Sequence, residues 1–311
     1  MMKRLSGEGQ LIPSLMLIVA AAGWGLFWIP LRKIEESGMD AGWAGVAQFI
    51  TPTLVMLPIA ILFLFQRKPT GLGRWKTAIF TGGAFALYAD SLLLTEVARA
   101  LILFYVSPAW STMLEVWLMK RRLTSARVVA ILLGFAGLYV ILGGDGSLPL
   151  PRNAGDWMAI ASGMFWAYGS TRIRMTQEAS LFENVFSFFT FGAIIALGLA
   201  LLPIEALGSP PDKETVIDLL PWLLLITFGF LIPAMSMQLY GAKKIDPGRV
   251  GILFQTEALF GIFSAALLTA EPFGWQEGIG SALVVGAALT EVFVNRPRAR
   301  GGAGPPTAAP P

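Results

Sequence analysis

The chain has 311 residues, of which 55% are hydrophobic and 14% charged, with a mean hydropathy of +0.66 and a formal net charge of +3. Soluble domains carry about 25% charged residues and single cores stop growing near ~250–300 residues, so this apolar excess calls for a bilayer as solvent. The sequence holds no cysteine and no histidine, which excludes disulfides, thiolate zinc sites, cysteine nucleophiles, Ser-His-Asp triads and histidine relays.

A transmembrane helix needs about 20 mainly apolar residues. In chain order the sequence predicts ten: 11–31, 44–65, 75–98, 100–119, 126–142, 156–172, 184–202, 219–245, 247–269 and 275–295. The expected fold is an all-α integral membrane protein. The first stretch follows Lys3 and Arg4 but is too long for a signal-peptide core and has no convincing cleavage site before Trp24, so it reads as a retained helix. The predicted organisation is a cytoplasmic N-terminus (1–10), a first five-helix unit (11–142), an external linker (143–155), a second five-helix unit (156–295) and a disordered, Arg-, Gly- and Pro-rich cytoplasmic tail (296–311).

Charge supports this layout. With the N-terminus inside, all 23 Lys and Arg except Arg32, Lys33, Arg99, Arg152 and Lys213 fall on the cytoplasmic side, the asymmetry of a positive-inside membrane protein. The basic pI near 9.3 is thereby explained without nucleic acid.

The two halves echo each other. Trp24 precedes Arg32 in the first span as Trp166 precedes Arg174 in the sixth, at equal spacing, and the run Ala98–Phe104 aligns with Gly248–Phe254. Five spans per half is an odd number, so the second half is expected upside down relative to the first. Inverted repeats around a midplane site are a recurring plan of secondary transporters.

Several motifs then resemble the drug/metabolite transporter superfamily, in its EamA-type ten-helix branch. They are Gly23-Trp24-Gly25, Trp166-Ala167, Phe104-Tyr105-Val106-Ser107-Pro108-Ala109-Trp110, Arg122-Leu123-Thr124, the Gly134/Gly137 helix, and Glu257 followed by Glu271-Pro272. The resemblance covers nearly all of 11–295. Two positions depart from the pattern: Ala258 stands where proline is frequent, and no acidic residue lies near Arg121. Within the branch the sequence is most similar to aromatic amino-acid exporters. The resemblance implies two halves rocking about a cavity lined by the first, third, fourth, sixth, eighth and ninth spans.

Intramembrane ionisable residues are functional candidates. Glu257 sits mid-span between polar neighbours and Asp90 lies two residues from Tyr88; each reads either as a functional group or as a hydrogen-bonded structural one. Glu115 and Glu291 lie near span ends, within reach of headgroups. Trp43, Trp75, Trp157, Trp222 and Trp275 fit interfacial belts, whereas Trp24, Trp110 and Trp166 are mid-span. The expected substrate contacts are Trp24, Tyr88, Asp90, Tyr105, Trp110, Trp166, Gln238, Tyr240, Gln255 and Glu257, aromatic walls with a few polar anchors. Pro108 and Pro233 are the candidate hinges. Pro30, Pro52 and Pro58 look peripheral, and the glycines of the fifth and tenth spans suit close helix packing.

No catalytic residue, metal or cofactor is expected. The expected partners are a small-molecule substrate and membrane lipid, with no nucleic acid; oligomeric state and coupling ion stay open. The expected activity is alternating-access export of small metabolites from a bacterial inner membrane, with aromatic or hydrophobic amino acids as the expected cargo. The alternative is a multidrug or quaternary-cation exporter. A membrane enzyme lacks convergent catalytic groups, and a channel lacks a continuous polar stripe.

Overall fold

The computed structural model describes residues 5–66, 68–70, 72–118, 125–142, 151–175, 179–244, 247–269 and 274–294. Most of the predicted external linker and the tail 296–311 lie outside these residues, as do Arg122, Glu271 and Pro272. Among the described residues every regular element is helical: α1 (Leu5–Gly25), α2 (Trp28–Glu36), α3 (Ala41–Phe65), α4 (Trp75–Leu94), α5 (Val97–Phe104), α6 (Ser107–Leu118), α7 (Ser125–Leu142), α8 (Ala154–Met175), α9 (Leu181–Ala200), α10 (Lys213–Ile226), α11 (Ile232–Lys244), α12 (Pro247–Leu268) and α13 (Trp275–Val294). Among them five runs are long and apolar enough to cross a membrane: Leu11–Glu36, Ala41–Phe65, Trp75–Leu94, Leu181–Ala200 and Lys213–Gly241.

Helix starts are set by capping residues that a hydropathy reading passes over. α9 begins at Leu181 rather than at 184, because Ser180 and Glu183 form a reciprocal capping box that satisfies two otherwise orphaned N–H groups. α10 begins at Lys213, six residues before the predicted apolar run, with the Asp212 carboxylate accepting the Thr215 N–H at 2.7 Å.

Three predicted spans are interrupted. The first breaks between α1 and α2 at Leu26–Phe27, the fourth between α5 and α6 at Tyr105–Val106, and the eighth carries a π-helical turn over Thr227–Leu231. Pro30, Pro108 and Pro233 follow these breaks within a few residues. Each proline lacks the N–H that the carbonyl four residues earlier would use, and its ring crowds that carbonyl. Pro30, expected to be peripheral, therefore belongs to a break. Proline alone is insufficient: α3 runs unbroken through Pro52 and Pro58. Around Pro52 the Thr51 and Thr53 hydroxyls donate to the Ala47 and Phe49 carbonyls, each at 2.8 Å, on either side of the Gln48 carbonyl whose helical N–H partner Pro52 removes.

α4 is buried from Thr81 to Leu92, and the described side chains of Val97–Ser107 are buried too. α4 packs against α8 and α9, α3 against α9, α1 against α11 and α12, and α7 against α13. Small residues make these approaches possible. A Cβ at Gly82 would lie 2.5 Å from the Phe188 carbonyl oxygen and 2.6 Å from the Gly192 nitrogen, so α4 and α9 meet backbone to backbone. On the α7–α13 seam, Gly137 faces the Gly280 carbonyl at 3.0 Å by the same measure, while Gly278 has nothing within 4 Å. The outer faces of α3 and α10 expose Leu54, Ile59, Leu62, Leu64, Ile217, Leu220 and Leu225, an apolar surface suited to lipid.

Gly82→Ala should therefore overpack the α4–α9 seam and cost about 1–3 kcal/mol, read as a lower unfolding midpoint in detergent. Gly198→Ala on α9, where an added Cβ meets nothing within 4 Å, should leave the midpoint unchanged or raise it.

Candidate functional site

The three breaks converge on one region. The Trp24 ring at the end of α1 packs edge-on to Phe27 (5.3 Å between centroids), Phe85 of α4 (4.9 Å) and Phe230 of the π-turn (5.2 Å). Phe27, in the α1–α2 break, lies 6.1 Å from Phe230. Phe85 also meets Tyr88 and, at 5.4 Å, Trp166 of α8. Each such pair adds about 0.5–1.5 kcal/mol beyond simple burial, so these rings form a rigid aromatic wall shared by both halves of the chain.

Glu257 of α12 stands beside this wall, 4% exposed. The hydroxyls of Tyr88 and Tyr105, from α4 and the α5–α6 break, lie near enough to its carboxyl to interact with it. Its Oε1 has no hydrogen-bond partner. Its backbone carbonyl packs on Gly25, where a Cβ would collide with it, so the α1 end and α12 touch directly. The Tyr105 hydroxyl also donates to the Phe254 carbonyl at 3.0 Å.

A second polar group lies on the α3–α4 seam. Asp90 is fully buried against Gly45, where a Cβ would collide with its Oδ1, and neither carboxyl oxygen has a hydrogen-bond partner. Gln48, one turn beyond Gly45 on α3, is buried with both amide atoms unpartnered, and Thr227, on the π-turn that packs against α3, has an unpartnered hydroxyl. An unpaired buried polar group costs about 1–3 kcal/mol. Gln48 and Thr227 were not among the expected contacts; what marks them is burial without a hydrogen-bond partner.

The other predicted contacts separate. The Trp110 ring packs on Phe135 of α7 at 5.1 Å, and its indole nitrogen, like that of Trp24, is buried without a partner. Gln238 is buried with Oε1 unpartnered, whereas Tyr240 is 39% exposed beneath Lys244. The side chains of Gln255, Glu115, Glu291 and Pro108 lie outside the described residues. Trp75, Trp157, Trp222 and Trp275 are exposed, while Trp43 packs on the core.

One strong interaction was not foreseen. Arg99 of α5, read as an external loop cation, is buried and donates to Asp156 of α8 through Nε (2.8 Å) and Nη2 (2.9 Å). Thr95 donates to the same carboxylate at 3.0 Å, and Asn153 donates to Thr95 at 3.2 Å. Asp156 also accepts the Arg152 backbone N–H at 2.8 Å at the start of α8. Arg99 is thus part of the fold and says little about orientation. Among the described residues no group of His, Cys, Asp or Glu could hold a metal ion.

Tyr105→Phe should remove the buried hydrogen bond to the Phe254 carbonyl and cost about 0.5–1.5 kcal/mol of stability in detergent unfolding. Tyr240→Phe should be neutral in the same measurement.

No curated protein matches the chain. A crystal structure of another protein superposes with a TM-score of 0.57 over 91% of this chain and 96% of that one, at 19% sequence identity; at that identity the likeness concerns the fold alone. The EamA-like transporter family matches residues 11–143 and again residues 153–291, with no finer subgroup singled out. With nearly its whole helical length covered by two copies of that match, the chain belongs to the EamA-like transporter family, whose members are multi-pass membrane transporters of small molecules.

Proposed function

We propose that the protein is a ten-span carrier whose halves, 11–142 and 156–295, are inserted in opposite senses. It exports ring-bearing or otherwise hydrophobic amino acids across a bacterial inner membrane by alternating access, with both termini in the cytoplasm. The carrying observation is the Glu257 carboxyl, buried beside the wall of Trp24, Phe85 and Phe230 with Oε1 unpartnered. An ammonium group would supply the missing donor to Oε1, and an aromatic or branched side chain would lie against the rings. The unpartnered Trp24 indole N–H is available to a substrate carboxylate. Tyr88, Tyr105 and Trp166 complete the walls; Asp90, Gln238 and Gln255 are further polar anchors.

The helix interruptions favour movement at the same level, since broken helices bordering a midplane site are where transporters bend. In this reading the α5–α6 junction before Pro108 and the π-turn before Pro233 are the hinges.

An acidic group among aromatic faces also suits a lipophilic or quaternary cation, through cation–π attraction. The two cargo classes differ in one requirement: a zwitterion needs a donor for its carboxylate, and a quaternary cation needs none.

In proteoliposomes, labelled tryptophan uptake should saturate and be competed by phenylalanine and methionine more strongly than by tetraphenylphosphonium; the reverse order would assign the cation reading. Glu257→Gln, losing a charge-assisted bond of about 1.5–3 kcal/mol, should lower amino-acid transport about 10- to 100-fold at neutral pH. Unchanged rate and affinity across pH would remove Glu257 from the binding role.

A further inference from the structure

Taking the carrier reading as its basis, we propose that the Arg99–Asp156 pair is a one-sided latch that holds the outer end closed and makes the inward-facing state the resting one. The two ends of an inverted repeat should be equally easy to open, and this chain breaks that equality at one position. The alignment that matches Trp24 with Trp166 also matches Ser14 with Asp156, both ten residues before their tryptophan. The alignment of Ala98–Phe104 with Gly248–Phe254 matches Arg99 with Arg249. The aligned positions thus carry an arginine in both halves, Arg99 and Arg249, but a carboxylate in one half alone, Asp156 against Ser14. Ser14 is buried on α1 and is uncharged, so whatever bonds it makes, an ion pair is not among them.

The outer latch sits at the tip of the α4–α5 hairpin. Thr95 and Arg99 from the first half hold Asn153 and Asp156 of the second through side-chain bonds of 2.8 to 3.2 Å. A separate contact crosses the same end: Asp40, ahead of α3, accepts the Ser209 backbone N–H at 2.7 Å. Beneath the latch α4 is buried from Thr81 to Leu92 and α5 from Val97 to Phe104. Leu92, one helical turn outward of Tyr88 and on its face, is 1% exposed. Opening outward would hydrate Arg99 and Asp156 separately, so the closed state keeps the full fork-to-carboxylate geometry and the open state gives it up.

Breaking a buried pair by removing one partner is far costlier than replacing both by apolar residues, which is often neutral. That difference separates a charge latch from general loosening. The chain has no cysteine, so a single Leu92→Cys reports outer opening through its labelling rate with a membrane-impermeant maleimide applied from outside. In the otherwise unchanged chain, labelling should be slow compared with an exposed Lys33→Cys control; equal rates would overturn the latch. Asp156→Ser, which makes the outer end match the inner, should accelerate Leu92→Cys labelling about tenfold or more. Arg99→Met/Asp156→Leu should return it close to the starting rate. Ser14→Asp, which gives the inner end its own carboxylate, should also accelerate outer labelling by stabilising inner closure. If Asp156→Ser fails to accumulate, the Ser14→Asp arm and the unmodified rate still decide; unchanged labelling in every variant that folds would sink the latch. Labelling does not depend on cargo: predicted rates without saturable transport would overturn the carrier reading alone, and intact transport with unchanged rates would overturn the latch alone.

Discussion

A helix in hydrocarbon has no water to satisfy a freed backbone carbonyl, so it breaks only where protein covers the break. The rest of this structure follows from that constraint. Three spans are interrupted, at Leu26–Phe27, Tyr105–Val106 and Thr227–Leu231, and packing joins the breaks into one region. Phe27 and Trp24 cover the π-turn through Phe230, and Tyr105 reaches α12 through the Phe254 carbonyl. α3 shows that proline alone does not force a break: the helix runs whole through Pro52 and Pro58.

The same region collects the polar groups that an apolar core would otherwise exclude. Glu257 and Asp90 are buried, and neither forms an ion pair among the described residues. The strong buried pair, Arg99–Asp156, lies instead between α5 and the start of α8, where it joins the two halves. Paired charge therefore stands where the halves are held together, while the unpartnered carboxyl oxygens of Glu257 and Asp90 stand apart from it. Gly25 and Gly45 let both carboxyl-bearing segments approach a neighbouring helix, which places these groups at helix seams away from lipid.

Much of this was legible in the sequence, for physical reasons. Hydrocarbon thickness fixes span length, so the helices stand near their predicted positions, and an acidic residue deep in a span is conspicuous, which singled out Glu257 and Asp90. What the sequence hid depends on partners far along the chain. Arg99 looks like a loop cation until Asp156, 57 residues later, folds onto it. Gln48 and Thr227 become notable only when nothing bonds them. Pro30 follows a break whereas Pro52 sits inside an unbroken helix, although both are prolines in apolar runs.

The central claim, that two halves alternate around the Glu257 region to carry ring-bearing amino acids, is most directly tested by solute counterflow. Proteoliposomes loaded with unlabelled phenylalanine and diluted into trace labelled tryptophan should show a transient internal accumulation above the equilibrium level, because a single site must return with cargo from the loaded side. Monotonic equilibration without an overshoot, or an overshoot unaffected by Glu257→Gln, would contradict the account.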